Sequence, residues 1–156
     1  MQLEEGNRES KYILFAEIFM LSNRLQTIGD SFFKEISTKQ WFVLLVLNVM
    51  NGYSPTLNEL SEVVGSSHQN VKQLILKLEQ KGYVKISKDE IDARRLRIKI
   101  TPKSYEFSKA YEHKSTDFME KLFAGLKKED IDITIKVLQT MKEALKGMEK
   151  DYVTES

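Results

Sequence analysis

Residues 56–101, TLNELSEVVGSSHQNVKQLILKLEQKGYVKISKDEIDARRLRIKIT, leave this chain few folds to choose from. Two short helix signals meet across one glycine, and two strand signals follow across a polar tip. Thr56 and Glu59 stand at capping-box spacing, where a hydroxyl and a carboxylate each satisfy a free N–H at a helix start. Leu57, Leu60, Val63 and Val64 follow at helical spacing, and Gly65 stops the helix. Ser66 and Gln69 repeat the capping-box spacing and open a second helix. Its Val71, Leu74, Ile75 and Leu78 fall within one arc and face a core. Gln69, Lys72, Gln73, Leu76 and Gln80 then face outward, flanked by Asn70 and Lys77, and Lys81-Gly82 closes the helix. Helix, glycine turn and second capped helix are the order of a helix-turn-helix.

The segment after it narrows the choice. Residues 84–87 read as a short strand, and Leu96, Ile98 and Ile100 alternate with basic residues at period two. Arg95, Arg97 and Lys99 therefore point away from the apolar face. Between the strands, residues 87–94 form a polar tip containing Asp92 and Arg94. An arginine held by an aspartate two positions earlier can enter a minor groove. Read alone, each feature has an ordinary account: a solvated polar helix face, and a hairpin whose surface ion pair contributes little.

Taken together, residues 70–79 (NVKQLILKLE), Lys81-Gly82-Tyr83-Val84, Asp92-Ala93-Arg94 and Ile98-Lys99-Ile100-Thr101 resemble the MarR family of bacterial transcriptional regulators. The resemblance is most specific over residues 56–101, and helix number and length extend it to the whole chain. It implies an obligate homodimer on a pseudo-palindromic operator in double-stranded DNA. The second helix would enter the major groove, and Arg94, positioned by Asp92, the minor groove. The residues expected at DNA are Ser66, Ser67, His68, Gln69, Asn70, Lys72, Gln73, Lys77, Lys88, Asp92, Arg94 and Arg95. Gln and Asn can pair bidentately with adenine, and Lys serves guanine or phosphate. Gln73 stands where the family often has a basic residue and Leu76 where it often has a polar one, which bears on operator preference. The resemblance also implies a small aromatic or amphipathic effector between the dimer helices and the reading head. Phe15, Phe19, Trp41, Tyr111 and His113 are the candidates to line that pocket, each of which also suits a plain core.

Charge agrees with a polyanion partner. The net charge is +1, yet residues 66–103 carry ten Lys/Arg against four Asp/Glu, a local +6. There is no cysteine, so disulfides and a thiolate peroxide sensor are excluded. With two histidines, a Cys/His zinc site is excluded too, and neither metal nor cofactor is expected. No apolar run approaches the roughly 18 residues of a membrane span, and no signal-peptide pattern opens the chain, so a cytoplasmic location is expected. No phosphate-cradling glycine loop, nucleophile elbow or nucleophile–histidine pairing stands out, so the chain is not expected to be an enzyme.

The flanks read as helices. Residues 1–10 are polar and expected to fray. A helix over residues 11–28 carries Leu14, Ile18, Leu21, Leu25 and Ile28 on one stripe and Tyr12, Phe15, Ala16 and Phe19 opposite, with Gly29-Asp30-Ser31 expected to break it. Ser37 and Gln40 form another capping box before a nearly all-apolar helix over residues 38–50, expected to be buried. Thr101 caps and Pro102 opens a helix to about residue 126, and a last helix covers about 129–147. Both show two apolar faces. The fold expected is therefore mainly α (α+β): one domain over residues 1–156, with a winged helix-turn-helix at about 38–101. Helices at about 11–29 and 103–148 would form an intertwined dimerisation region. The function expected is a homodimeric, sequence-specific transcriptional regulator, a repressor released by a small molecule. The alternative is a winged-helix protein-interaction module without an operator.

Overall fold

A computed structural model describes residues 7–50, 52–92 and 94–152, with side chains over 9–50, 52–92 and 94–148. The order is α1 (Asn7–Phe32), α2 (Thr38–Val49), α3 (Leu57–Val64), α4 (His68–Gln80), β1 (Val84–Lys88), β2 (Leu96–Ile100), α5 (Pro102–Leu122) and α6 (Lys128–Tyr152). Two compact units divide at residue 109, so α5 begins in the first and ends in the second.

The first unit is built outward from side chains that local pattern places inward. Leu60, Val71, Ile75, Leu78, Tyr83, Val84 and Ile98 are buried, joined by Val43, Leu44 and Leu47 of α2 and Phe107 of α5. Each large apolar side chain removed from water contributes about 1.5–3 kcal/mol, more than a typical cap at about 1 kcal/mol, so packing decides the fold and capping the helix ends. Two of the helix starts carry complete caps. Ser37 with Gln40, and Thr56 with Glu59, form both halves of a capping box. Gly65 and Gly82 close α3 and α4 at φ 68° and 78°, where a side chain would be strained. At the second of these, Tyr83 N donates to Leu78 O and Gly82 N to Glu79 O, a Schellman closure. The antiparallel ribbon pairs Val84 with Ile100 and Ile86 with Ile98. Pro55 O accepts from Ile98 N at 3.0 Å, and Thr56 bridges Arg97, so the loop before α3 lies along the free edge of β2.

Several local expectations give way in the structure. Residues 7–10 are helical rather than frayed (1–6 lie outside the described residues), and α1 runs through Gly29-Asp30-Ser31. Gly29 is there for close approach: a Cβ on it would sit 2.3 Å from Thr38 Oγ1. Asp30 accepts from Thr38 N at 2.6 Å and from its hydroxyl at 2.8 Å, so it caps α2 instead of ending α1. Those bonds hold the Asp30 carboxyl below its ordinary range. Helix α4 is capped by Ser67, which accepts from Asn70 N, and not by Ser66. Thr101 does not cap α5 with its hydroxyl, which bonds the carbonyls of Gly82 and Tyr83. Helix α5 stops at Leu122 because its last turn tightens into i→i−3 bonds before left-handed Gly125. Helix α6 continues past Gly147, since glycine in an exposed helix costs only about 1 kcal/mol. Helix α2 is buried on one side only; Phe42, Leu45 and Val49 are exposed.

In the second unit no described side chain is fully buried. Ile133, Ile135, Leu138, Leu145 and Met148 of α6 are all exposed. On α1, in the first unit, Leu14, Phe15, Phe19, Met20, Leu21 and Ile28 are exposed as well.

Candidate nucleic-acid interface

The candidate reading face stands on α4. Its arc of Val71, Ile75 and Leu78 is buried, which turns His68, Gln69, Asn70, Lys72, Gln73, Lys77 and Gln80 to solvent. The serines before it divide the work. Ser67 caps the helix, and half-buried Ser66 accepts a hydrogen bond from Asn70 Nδ2 at 2.7 Å. That bond leaves Asn70 its oxygen and one amide hydrogen for another partner. Leu76 is exposed but lies sideways: with Leu57, Ile86 and Leu96 it lines a small apolar recess between α4 and the ribbon. An apolar residue there is explained by packing toward the wing.

The tip between β1 and β2 is organised by Asp89, a residue that pattern reading passed over. Asp89 Oδ1 accepts from the backbone N–H groups of Ile91 at 2.8 Å and Asp92 at 3.0 Å, while Oδ2 pairs with Arg97 Nε. Those amides, chiefly that of Asp92, and the Arg97 guanidinium hold its carboxyl down to about 2. Arg97 also donates to Ser54 O at 3.1 Å and Tyr53 Oη at 3.3 Å, and lies 3.5 Å from Glu59 Oε2. Tyr53 donates in turn to Glu59. Glu59 is held below its ordinary range first by the Thr56 amide, and Arg97 is held above its own by Asp89. One guanidinium thus ties the wing tip to the capping box of α3. Alternation placed Arg97 with Arg95 and Lys99 among outward cations. It does leave the apolar face, but it is spent on this clamp. No local signal separates it from its neighbours.

Asp92 holds Arg94 through the backbone, accepting from Arg94 N at 3.1 Å, while its ion pair is with Arg95 Nε at 3.4 Å. The Arg94 guanidinium is exposed, without an ion-pair partner among the described residues. Lys88, at the end of β1, is exposed beside the tip.

The clamp makes a pH prediction. A carboxyl with a depressed folded pKa stabilises the fold above its unfolded value of about 3.9, and the contribution is lost as pH falls through the folded value. The wing should therefore stay formed at neutral and mildly acidic pH and loosen between about pH 4 and 2. The Ile91 and Asp92 amide shifts, followed by NMR, should titrate with a midpoint of about 2. A midpoint near the ordinary carboxylate value would show that Asp89 does not hold the tip.

The effector candidates fall into separate settings. Phe15 and Phe19 are exposed on α1, with ring centroids 4.9 Å apart. Trp41 is half-buried and stacks on Phe33 at 5.2 Å. In the second unit, Tyr111 is half-buried with Lys114 over its ring, and His113 is exposed. A separate open hollow of about 430 Å³ is lined by Lys34, Glu35, Gln40, Leu74 and Lys77 among others, and by none of these five.

Against this geometry, a model of the MarR family matches residues 35–95, from the α1–α2 loop into the wing. Over this segment the chain is similar to the MarR family. Members of the family are transcription regulators, not enzymes. The chain is 25% identical over 118 residues to the transcriptional repressor MprA of Escherichia coli, spanning 76% of this chain and 67% of that protein. A MarR protein from Peptoclostridium difficile shares the fold with TM-score 0.75 and 23% identity, over 100% of this chain and 96% of that one. MepR of Staphylococcus aureus, solved with DNA, matches with TM-score 0.73 and 20% identity, over 90% of this chain and 99% of that one. Among the described residues, no helix is long and apolar enough to cross a membrane, and no group of three His, Asp or Glu could hold a metal ion.

Proposed function

We propose that the protein is a homodimeric, sequence-specific DNA-binding repressor of the cytoplasm, released from its operator by a small aromatic or amphipathic molecule. The observation that carries the reading is the joint presentation of two features: the exposed amide and lysine face of α4, and the unpaired Arg94 guanidinium on a tip clamped to α3. MprA, a repressor, and MepR, solved on DNA, are similar to this chain and support the same role.

In this reading Gln69, Asn70, Lys72, Gln73 and Lys77 lie along the major groove, with Ser67 and His68 at its edge, and Arg94 enters the minor groove. Lys88 and Arg95 meet phosphates. Dimerisation is supported by the apolar side chains left exposed on α1 and α6, since an isolated helix draws most of its stability from packing of an apolar face. A symmetric dimer would set two reading heads about 34–36 Å apart. An effector that prefers a dimer shape with another spacing would lower occupancy, and only that difference in affinity matters. Phe15, Phe19, Trp41, Tyr111 and His113 remain the candidates to meet it.

The test is fluorescence-anisotropy binding to DNA from just upstream of the protein's own gene, beside a random duplex, across a salt series. Preference for the upstream DNA, with affinity falling steeply as salt rises, is expected. Equal weak binding to both would turn attention to a protein partner. In the same assay Arg94→Ala should lower affinity about tenfold and reduce the salt slope by about one per protomer. Its side chain is exposed, so the fold should hold, and unchanged affinity would remove the wing from the interface.

A further inference from the structure

The most exposed large apolar side chain among the described residues is Ile91, at 97% of its full accessibility. It stands at the wing tip, where turn chemistry favours Gly, Asn, Asp or Ser, and it supports no packing there. Its backbone amide is tied to the tip. Asp89 Oδ1 receives the Ile91 and Asp92 amides, Asp89 is clamped by Arg97, and Asp89 N donates to Arg95 O at 2.9 Å across the tip. An apolar side chain is thus held outward by a preorganised loop, which keeps the entropy lost on binding small.

The charges around it select the partner. Asp89 is neutralised by Arg97 and Asp92 by Arg95. Over residues 88–97 four cations stand against three acids, and the Arg94 guanidinium has no ion-pair partner among the described residues. An apolar knob beside an unpaired guanidinium fits a narrow, negatively charged slot with hydrocarbon walls, which describes the DNA minor groove. Its sugar edges are apolar, and isoleucine is among the side chains that proteins place there. We propose that Ile91 is a minor-groove contact, entering beside Arg94 and packing against the deoxyribose walls of the operator. The inference rests on the operator-binding reading above and adds to it an apolar contact that carries no charge.

The absence of charge supplies the test. Wild type, Ile91→Ser and Ile91→Val are titrated into the upstream DNA and the random duplex over the same salt series. Ile91→Ser should bind the upstream DNA about tenfold more weakly per protomer, about a hundredfold for the dimer, as expected for re-exposing much of an isoleucine in each half-site. Its slope of log affinity against log salt should match wild type, because no counterion-releasing group is lost. Ile91→Val should recover most of the affinity. Wild-type affinity in Ile91→Ser would overturn the contact while leaving operator binding intact. A weaker variant with a changed slope would also overturn it, since the tip would then act through charge. If wild type itself showed no preference for the upstream DNA, the operator reading would fall, and the contact with it.

Discussion

Replacing Asn70 with alanine is expected to reduce the preference for the protein's own operator by about 2–6 kcal/mol. Each base contact of this kind is worth about 1–3 kcal/mol, and a symmetric site holds two. The effect should fall on recognition alone. Asn70 is exposed, its one side-chain bond runs to Ser66 at 2.7 Å, and alanine is the better helix former. Ser66 also explains why Asn70 is suited to reading: the bond fixes its rotamer and leaves an oxygen and one hydrogen, the pair that adenine's N6 and N7 require. Ser66→Ala should therefore give a smaller loss in the same direction, by freeing the amide without removing it. Competition of operator against random duplex measures both variants. A folded Asn70→Ala protein with unchanged preference would show that the start of α4 does not read bases.

Gly29→Ala should destabilise the protein by about 1–3 kcal/mol, the opposite sign to the usual effect. In an exposed helix the same change gains up to about 1 kcal/mol. Here the new methyl would lie 2.3 Å from Thr38 Oγ1, 2.8 Å from its Cγ2 and 3.1 Å from its Cβ. Thr38 cannot turn aside without loss, because its hydroxyl bonds Gln26 O at 3.1 Å and Asp30 at 2.8 Å. Thermal or urea unfolding gives the sign directly. Adding Thr38→Ala should restore part of the lost stability, a non-additivity that marks direct contact. A stabilised Gly29→Ala protein would mean that α1 and α2 do not meet this closely.

Both predictions bear on what can be read along a chain. The capping boxes at Ser37 and Thr56, the left-handed glycines 65 and 82, the inward arc of α4 and the period-two ribbon were all legible. Each depends on residues within a few positions of one another. The outward face of α4 was legible for the same reason, since a helix whose inward arc is known has its outward arc known too.

Three misreadings share the opposite property. Gly29 looked like a helix breaker because its purpose, the close approach of Thr38, lies nine residues away. Arg97 looked like a third outward cation because alternation gives direction but not neighbours. Its partners Tyr53, Ser54 and Glu59 come from a loop and helix about forty residues earlier. Leu76 looked like a departure in a polar row until the ribbon came to lie beside it. Sequence alone therefore determined the order of the elements, the capping boxes at Ser37 and Thr56 and the outward arc of α4, because those follow from short-range hydrogen bonding and helical or strand period. The tertiary structure alone decided which glycine is a contact, which arginine is a clamp and which side chains the tip holds out, because each depends on chain segments that only folding brings together.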